Sequence, residues 1–235
     1  MRILFLLAFL FLGIQSGIAQ DRDQDRDQDR DQTRLMMVDG DLLQIRDQDQ
    51  QRLQDKINLN DATVLSPNGS YLTRDGKRLR LKNGECLDMD GVKYNNEYQY
   101  RFKVQQENKG LSEAQIQERN QNRVQYSRID GAMYQIRNQS QNRVQDQLNV
   151  GDGISVRPDG TYQVRNQQQM RLQDGECLNM DGEKLTNMYQ LRKNIAQKNM
   201  MQNKVQKNMQ KNVPKNVPKN VQKQVQKTPK KGKNN

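Results

Sequence analysis

Two cysteines and their neighbours are the most chemically suggestive residues in this chain. Each precedes a methionine by three positions, as Cys86-x-x-Met89 and Cys177-x-x-Met180. Paired thiolate and thioether ligands would suit a soft metal such as Cu(I). On a strand, residues three apart point to opposite faces, so neither pair can chelate without a bend. Methionine as core filler is the stronger reading. Asp88-x-Asp90-Gly91 has the start of a calcium loop but lacks the remaining oxygen ligands and the distal glutamate at EF-hand spacing. A Cys86–Cys177 disulfide in an exported protein would close a long loop and stabilise by about 4–5 kcal/mol if unstrained. The competing reading makes each cysteine a small buried hydrophobe with the same packing role. No catalytic residue, cofactor or metal ligand is assigned.

The chain has no histidine. That removes Ser-His-Asp and Cys-His nucleophilic catalysis, imidazole metal sites and the commonest general base near neutral pH. Two positioned carboxylates can hydrolyse a glycoside, but the acids here fall mostly in Asp-Gly turns, where the backbone already has a use for them. No phosphate-cradling glycine loop or dinucleotide fingerprint is present. The expectation is a protein that is not an enzyme.

The elements that must hold the cysteines are duplicated. Asp39–Arg101 aligns without gaps on Asp130–Arg192 at a shift of 91 residues, and about half the paired positions are identical. Glycine punctuates each copy: Asp39-Gly40, Pro67-Asn68-Gly69, Asp75-Gly76, Asn83-Gly84 and Asp90-Gly91 in the first. Asn-Gly and Asp-Gly supply the positive φ angles of two-residue hairpins. Pro67-Asn68-Gly69 and Pro158-Asp159-Gly160 suit type I turns with Pro at the second position. The runs between them are too short for helices, and Leu79-Arg80-Leu81 alternates as a half-buried strand does. The pattern predicts a mainly β chain of two tandem small antiparallel β-meander units, with about five or six short strands each, packing independently. If Asn83-Gly84 closes a hairpin, Leu81 faces Cys86, and Asp174-Gly175 places Leu172 opposite Cys177. One turn differs, where Asp75-Gly76 becomes Asn166-Gln167. Asn68-Gly69-Ser70 and Asn138-Gln139-Ser140 are formal glycosylation sequons, read here as turn sequence.

The block Gly84-Glu85-Cys86-Leu87-Asp88-Met89-Asp90-Gly91, its copy from Gly175 to Gly182, and the glycine-cornered strands before each resemble the DUF6799 family of small exported proteins from Bacteroidetes-type bacteria. The resemblance covers Met37–Gly91 and Arg128–Gly182. It implies an envelope or secreted location and carries no activity, ligand or catalytic residue.

Around these copies the chain divides by composition. Residues 1–19 read as a secretory signal: Arg2 is the positive region, Ile3–Leu12 the apolar core, and Gly17-Ile18-Ala19 the small residues before a cut. Cleavage near Ala19 would leave a periplasmic or secreted protein. Residues 20–34, an Asp/Arg/Gln repeat, are expected to be disordered. Residues 35–104 form the first β unit and 128–186 the second. The linker 105–127 carries a short helix after the capping-box sequence Ser112-Glu113-Ala114-Gln115. Residues 187–213 predict a basic amphipathic helix, with Met188, Leu191, Ile195, Met201, Val205 and Met209 on one face and Pro214 ending it. Residues 214–235 form a disordered Lys-rich tail.

The net charge is +11, and from Arg192 onward there are thirteen Lys/Arg and no acid. Basicity therefore belongs to the C-terminal segment. Its lysines, Lys204, Lys207, Lys211, Lys215, Lys219, Lys223 and Lys227, are candidates for binding an anionic polymer or membrane surface. The tail lacks aromatic residues for base stacking, which argues against a specific nucleic-acid partner. Two functions stand side by side: an exported scaffold with a surface-binding basic tail, and a small-ligand or soft-metal module using the Cys/Met/Asp hairpin.

Overall fold

A computed structural model describes residues 32–164 and 168–211. The predicted signal, most of the Asp/Arg/Gln repeat, the Asn166-Gln167 exchange and the predicted tail with Pro214 lie outside the described residues. The chain divides into two compact units, one ending at Ala196 and the other beginning at Gln197.

The first repeat builds β1 (Thr33–Val38), β2 (Asp41–Arg52), β3 (Ile57–Asn58), β4 (Val64–Leu65), β5 (Ser70–Leu72), β6 (Arg78–Arg80), β7 (Cys86–Asp88), β8 (Lys93–Tyr94) and helix α1 (Glu97–Asn108). Helix α2 (Glu113–Gln121) follows, with Ser112 and Gln115 forming the predicted capping box. The second repeat builds β9 (Val124–Ile129), β10 (Ala132–Arg143), β11 (Leu148–Val150), a 3-10 turn, β12 (Ile154–Val156), β13 (Thr161–Gln163), β14 (Gln169–Arg171), β15 (Cys177–Asn179), β16 (Lys184–Leu185) and helix α3 (Met188–Lys211). The mainly antiparallel β fold in two tandem copies is as the sequence predicts. Among the described residues each copy has eight strands rather than five or six. Helix α1 also begins inside the segment assigned to the first β unit, because Asn96 caps it by accepting the Gln99 N–H at 3.0 Å.

Turn chemistry sorts the strands. Asp39 and Gly40 (φ +53° and +77°) and Asp130 and Gly131 (φ +45° and +80°) both have positive φ, as a type I′ turn requires, so β1–β2 and β9–β10 are tight hairpins. The Pro67-Asn68-Gly69 and Pro158-Asp159-Gly160 turns form as predicted, with Gly69 and Gly160 donating to Ser66 and Arg157. Asn83-Gly84 does not close a hairpin. Glu85 N–H bonds the Lys82 carbonyl at 3.1 Å, but only Gly84 of the two central residues has positive φ. That is a type II turn, which splays the strands it joins. Consistent with it, β6 stays on β5 while β7 pairs in another sheet. The expected facing of Leu81 with Cys86 is lost, as is that of Leu172 with Cys177: each leucine and cysteine sit in different core clusters.

The departing strands cross between repeats. The large sheet runs β16-β15-β1-β2-β10-β9-β7-β8, an order that reads the same from either end under the 91-residue shift. Strand β15 of the second repeat pairs with β1 of the first, and β7 of the first pairs with β9 of the second. Two four-stranded sheets, β3–β6 and β11–β14, flank it. Their cores are mixed as well. Leu35, Met37 and Leu42 pack with Val150, Val156, Tyr162 and Leu172, while Tyr126 and Met133 pack with Leu65, Tyr71, Leu81 and Leu87. Independent packing of the two repeats is thus overturned: each completes its hydrophobic interior with the other's first hairpin.

Met133 is fully buried in the cluster built mainly by the other repeat. Met133→Ala should cost about 2–5 kcal/mol, and urea unfolding of the parent chain should be one transition seen alike by tyrosine fluorescence and far-UV circular dichroism. Two separable transitions would show that the repeats fold independently.

Candidate functional site

The repeats meet along β2 and β10, and at the centre Asp47 lies opposite Asn138, its own counterpart under the 91-residue shift. Bulges interrupt the register on either side of Asn138. Such bulges turn side chains out of the regular pleat. Helices α1 and α3 bring Arg101 and Arg192, another matched pair, to the same place. Each reaches across to the other repeat's strand. Arg101 Nη1 donates to Asn138 Oδ1 (3.0 Å) and Gln141 Oε1 (3.4 Å). Arg192 Nη1 donates to Asp47 Oδ2 and Gln50 Oε1. The amides answer: Gln141 Nε2 donates to the Arg101 carbonyl (3.1 Å) and Gln50 Nε2 to that of Arg192 (3.0 Å).

Three exchanges break this symmetry, all placing the charge in the first copy. Arg34, Asp47 and Glu97 have Gln125, Asn138 and Met188 as counterparts. Glu97 accepts from Arg34 Nη2 (2.9 Å), Arg101 Nη2 (2.9 Å) and Arg192 Nη2 (2.6 Å). Asp47 accepts from Arg34 Nη1 (2.6 Å), Arg101 Nη2 (3.2 Å) and Arg192. All five side chains are at least nine-tenths buried. Two aspartates facing one another on the axis would repel, and Asn138 supplies an acceptor without the second charge. The cluster holds three guanidinium groups against two carboxylates, with the Asn138, Gln141 and Gln50 amides taking up further donors.

Burial alone would raise both carboxyls. Arg192, Arg34 and Arg101 overcome it for Asp47, and Arg192, Arg101 and Arg34 hold Glu97 well below the ordinary carboxylate range. Burial pulls the Arg34 guanidinium down, whereas Glu97 and Asp47 lift Arg101 and both acids lift Arg192. Neither acid can donate a proton near neutral pH. Chemically the cluster is a lock.

A cleft of about 460 Å³ opens at this junction, walled by duplicated positions: Asn83 and Asp174, Tyr98 and Tyr189, Asn96 and Asn187, with the buried Glu97 and Arg192 at its floor. Tyr189 donates to Asp130 (2.7 Å). The larger cleft of about 700 Å³, between the α1–α2 turn and β10, touches the cluster only through Gln141.

The sequence-selected residues fare differently. Cys86 and Cys177 are free and fully buried. The possible disulfide between them does not form: Cys86 sits on β7 and Cys177 on β15, and four strands of the sheet lie between. Each thiol instead faces a backbone carbonyl, that of Asn96 or Leu185. Burial raises both thiols, Cys177 to about 12. Cys86 and Met89 point into separate clusters, and Met89 Sδ lies 3.2 Å from the Tyr126 hydroxyl. Among the described residues no three His, Cys, Asp or Glu side chains gather as a metal site. Asp88 accepts from the backbone N–H groups of Asp90 and Val92, the Tyr94 hydroxyl and Lys103. Asn179 does the same turn-closing work in the second copy, so the aspartate is a turn residue. Asn138, the acceptor position of a formal sequon, is buried on a central strand rather than in a turn. Lys204 is exposed on α3. Lys207 and Lys211 belong to the same helix, while Lys215, Lys219, Lys223 and Lys227 lie outside the described residues.

The five charged residues of the lock were not singled out by the sequence. The available signal was the retention of Arg101 and Arg192 at the end of Tyr-Gln-x-Arg in both copies beside charge-to-neutral exchanges at Asp47 and Glu97. A family model described as Domain of unknown function (DUF6799) matches residues 32–92 and 126–183, just over half of the chain. No curated protein and no solved structure matches it.

Because the folded Asp47 and Glu97 carboxyls lie below their unfolded values near 4, their contribution is present above about pH 4 and is lost as pH falls through the lowered folded values. Glu97→Gln should destabilise by about 3–5 kcal/mol at pH 7 by stranding buried guanidinium groups, with a shallower loss of stability on acidification than the parent, read from urea midpoints between pH 2 and 7. A second measurement concerns the thiols. Neither should react with a thiol reagent in the native protein, and both should titrate in denaturant without reductant. Finding no free thiol there would restore the disulfide.

Proposed function

Because this chain belongs to the DUF6799 family and carries two tandem copies of its domain, we propose that it is an exported, non-enzymatic scaffold whose basic C-terminal segment associates with an anionic surface. The observation that carries this reading is the change in character along α3. Met188, Leu191 and Ile195 bury one face of its first turns in the core. Farther along, Met200, Met201 and Val205 are exposed, Lys204 is exposed beside them, and no acid follows Arg192. Met201 and Val205, four apart, share a face. An apolar stripe set in a lysine-rich helix suits the interface of an anionic lipid layer better than a polymer in water, because only the lipid rewards the methionines and valine. Among the described residues no helix is long and apolar enough to cross a membrane, so the association proposed is with the surface. The leader-like residues 1–19 support the exported location. The soft-metal alternative has nothing comparable, since its Cys and Met ligands point apart.

Arg192 belongs to the buried lock, so removing it would damage the fold along with the tail. The decisive variant therefore replaces Lys204, Lys207, Lys211, Lys215, Lys219, Lys223 and Lys227 with Gln and keeps α3. Retention on phosphatidylglycerol vesicles should fall at least tenfold at about 0.1 M salt, and the parent's binding should weaken steeply as salt rises. Equal retention by variant and parent would eliminate the tail as the contact.

A further inference from the structure

The two copies share one backbone plan and differ on one surface. In β4, β5 and β6 the cross-strand row is Val64, Leu72 and Arg78. The same row in β12, β13 and β14 is Ser155, Gln163 and Gln169. Strand pairing is preserved, so the fold requires neither the apolar residues nor the charge of the first copy. Leu72 is 37% exposed. Arg80 joins Arg78 and Leu72 on the same face, two residues along. Arg74 and Lys77 flank the Asp75-Gly76 turn, where Thr73 N–H bonds the Lys77 carbonyl at 2.9 Å. All four cations are exposed and none makes an ion pair with another described residue. In the second copy glutamines replace Lys77 and Arg78.

A bland explanation is protection of the sheet edge, since β6 is the outermost strand and charge discourages edge-to-edge pairing. Strand β14 is equally outermost, and its hairpin carries glutamines in place of Lys77 and Arg78, so edge protection does not require those two cations. What remains is a short, well-braced hairpin that sets an aliphatic row among unpaired cations. We infer that the β5–β6 hairpin of the first repeat is a second contact site, on the folded body, for an anionic lipid surface. Cations there meet headgroup phosphates while Leu72 and Val64 enter the acyl boundary. A sulfated or carboxylated polymer would engage the cations without rewarding the aliphatic pair, and a nucleic acid would want an aromatic stacking partner that this face lacks. The inference takes its class of partner from the reading above but rests on a different part of the chain.

The test uses the full chain with Leu72→Gln, Lys77→Gln and Arg78→Gln together, the residues the second copy already carries on the same backbone. An unchanged urea midpoint would verify folding. Partitioning onto phosphatidylglycerol–phosphatidylcholine vesicles should drop by about fivefold per cation removed, in parent and tail-neutralised backgrounds alike. Separately, Leu72→Trp supplies a lone reporter, because the chain has no tryptophan, and its emission should shift to the blue on these vesicles and not with heparin. Parent-like partitioning by the triple variant, or an emission unmoved by vesicles, would overturn the inference. If only the tail variant loses binding, the hairpin proposal fails and the tail reading stands; if only the hairpin variant does, the reverse holds.

Discussion

Three guanidinium groups and two carboxylates are held out of water where the repeats cross, and the rest of the structure is arranged around that fact. Burying an ion pair rarely adds much stability over apolar side chains of equal size, but leaving one member unpaired is severe. The cluster therefore acts as a gauge of register. Arg101 and Arg192 find their partners only if β2 lies against β10 with Asp47 opposite Asn138 and both helices begin where their asparagine caps set them. A slip of one residue would turn these side chains to the wrong face and strand charge in the interior.

The same geometry explains why a duplicated chain would depart from exact duplication. On a twofold axis a residue meets itself, which suits amides and apolar groups and penalises like charges. Asn138 and Met188 replace acids, and Gln125 replaces an arginine, at the three positions where the first copy keeps its charge. One copy carries the acids and both carry the arginine that reaches across. Away from the axis the constraint lifts, and there the copies diverge in another way, as between the arginine-bearing β6 and the glutamine-bearing β14.

Much of the local structure was legible in the sequence. Asp39-Gly40 and Asp130-Gly131 are two-residue hairpins because an aspartate and a glycine can both adopt positive φ, and Ser112 with Gln115 marks the start of α2 as a capping box should. Two of the misreadings share one cause. Asn83-Gly84 has the composition of a hairpin turn, but its conformation depends on where β7 finds a partner, and that partner, β9, lies about forty residues downstream. Periodicity reports which face of a strand is apolar and not which repeat will cover it. Independent folding and the facing of Leu81 with Cys86 both rested on keeping each copy's strands together, whereas the disulfide rested on the expected compartment and fails because four strands separate Cys86 from Cys177. The lock was hidden for the same reason: Arg34, Asp47, Glu97 and Arg192 are spread across most of the folded chain, and only the exchange of strands collects them.

That exchange bears on the order in which the protein can be completed. As the chain is made or threaded, β1 and β2 emerge with an open edge and a half-covered apolar face, while the strands that close them, β15 and β10, are still to come. The bond between Asp47 and Arg192 spans 145 residues. Contacts of such long range carry a large loop-closure cost and are formed slowly. The first half therefore cannot complete its core until β10 and β15 are available. A polypeptide whose core closes only when its last strands arrive commits to its final shape late, and as one piece rather than two.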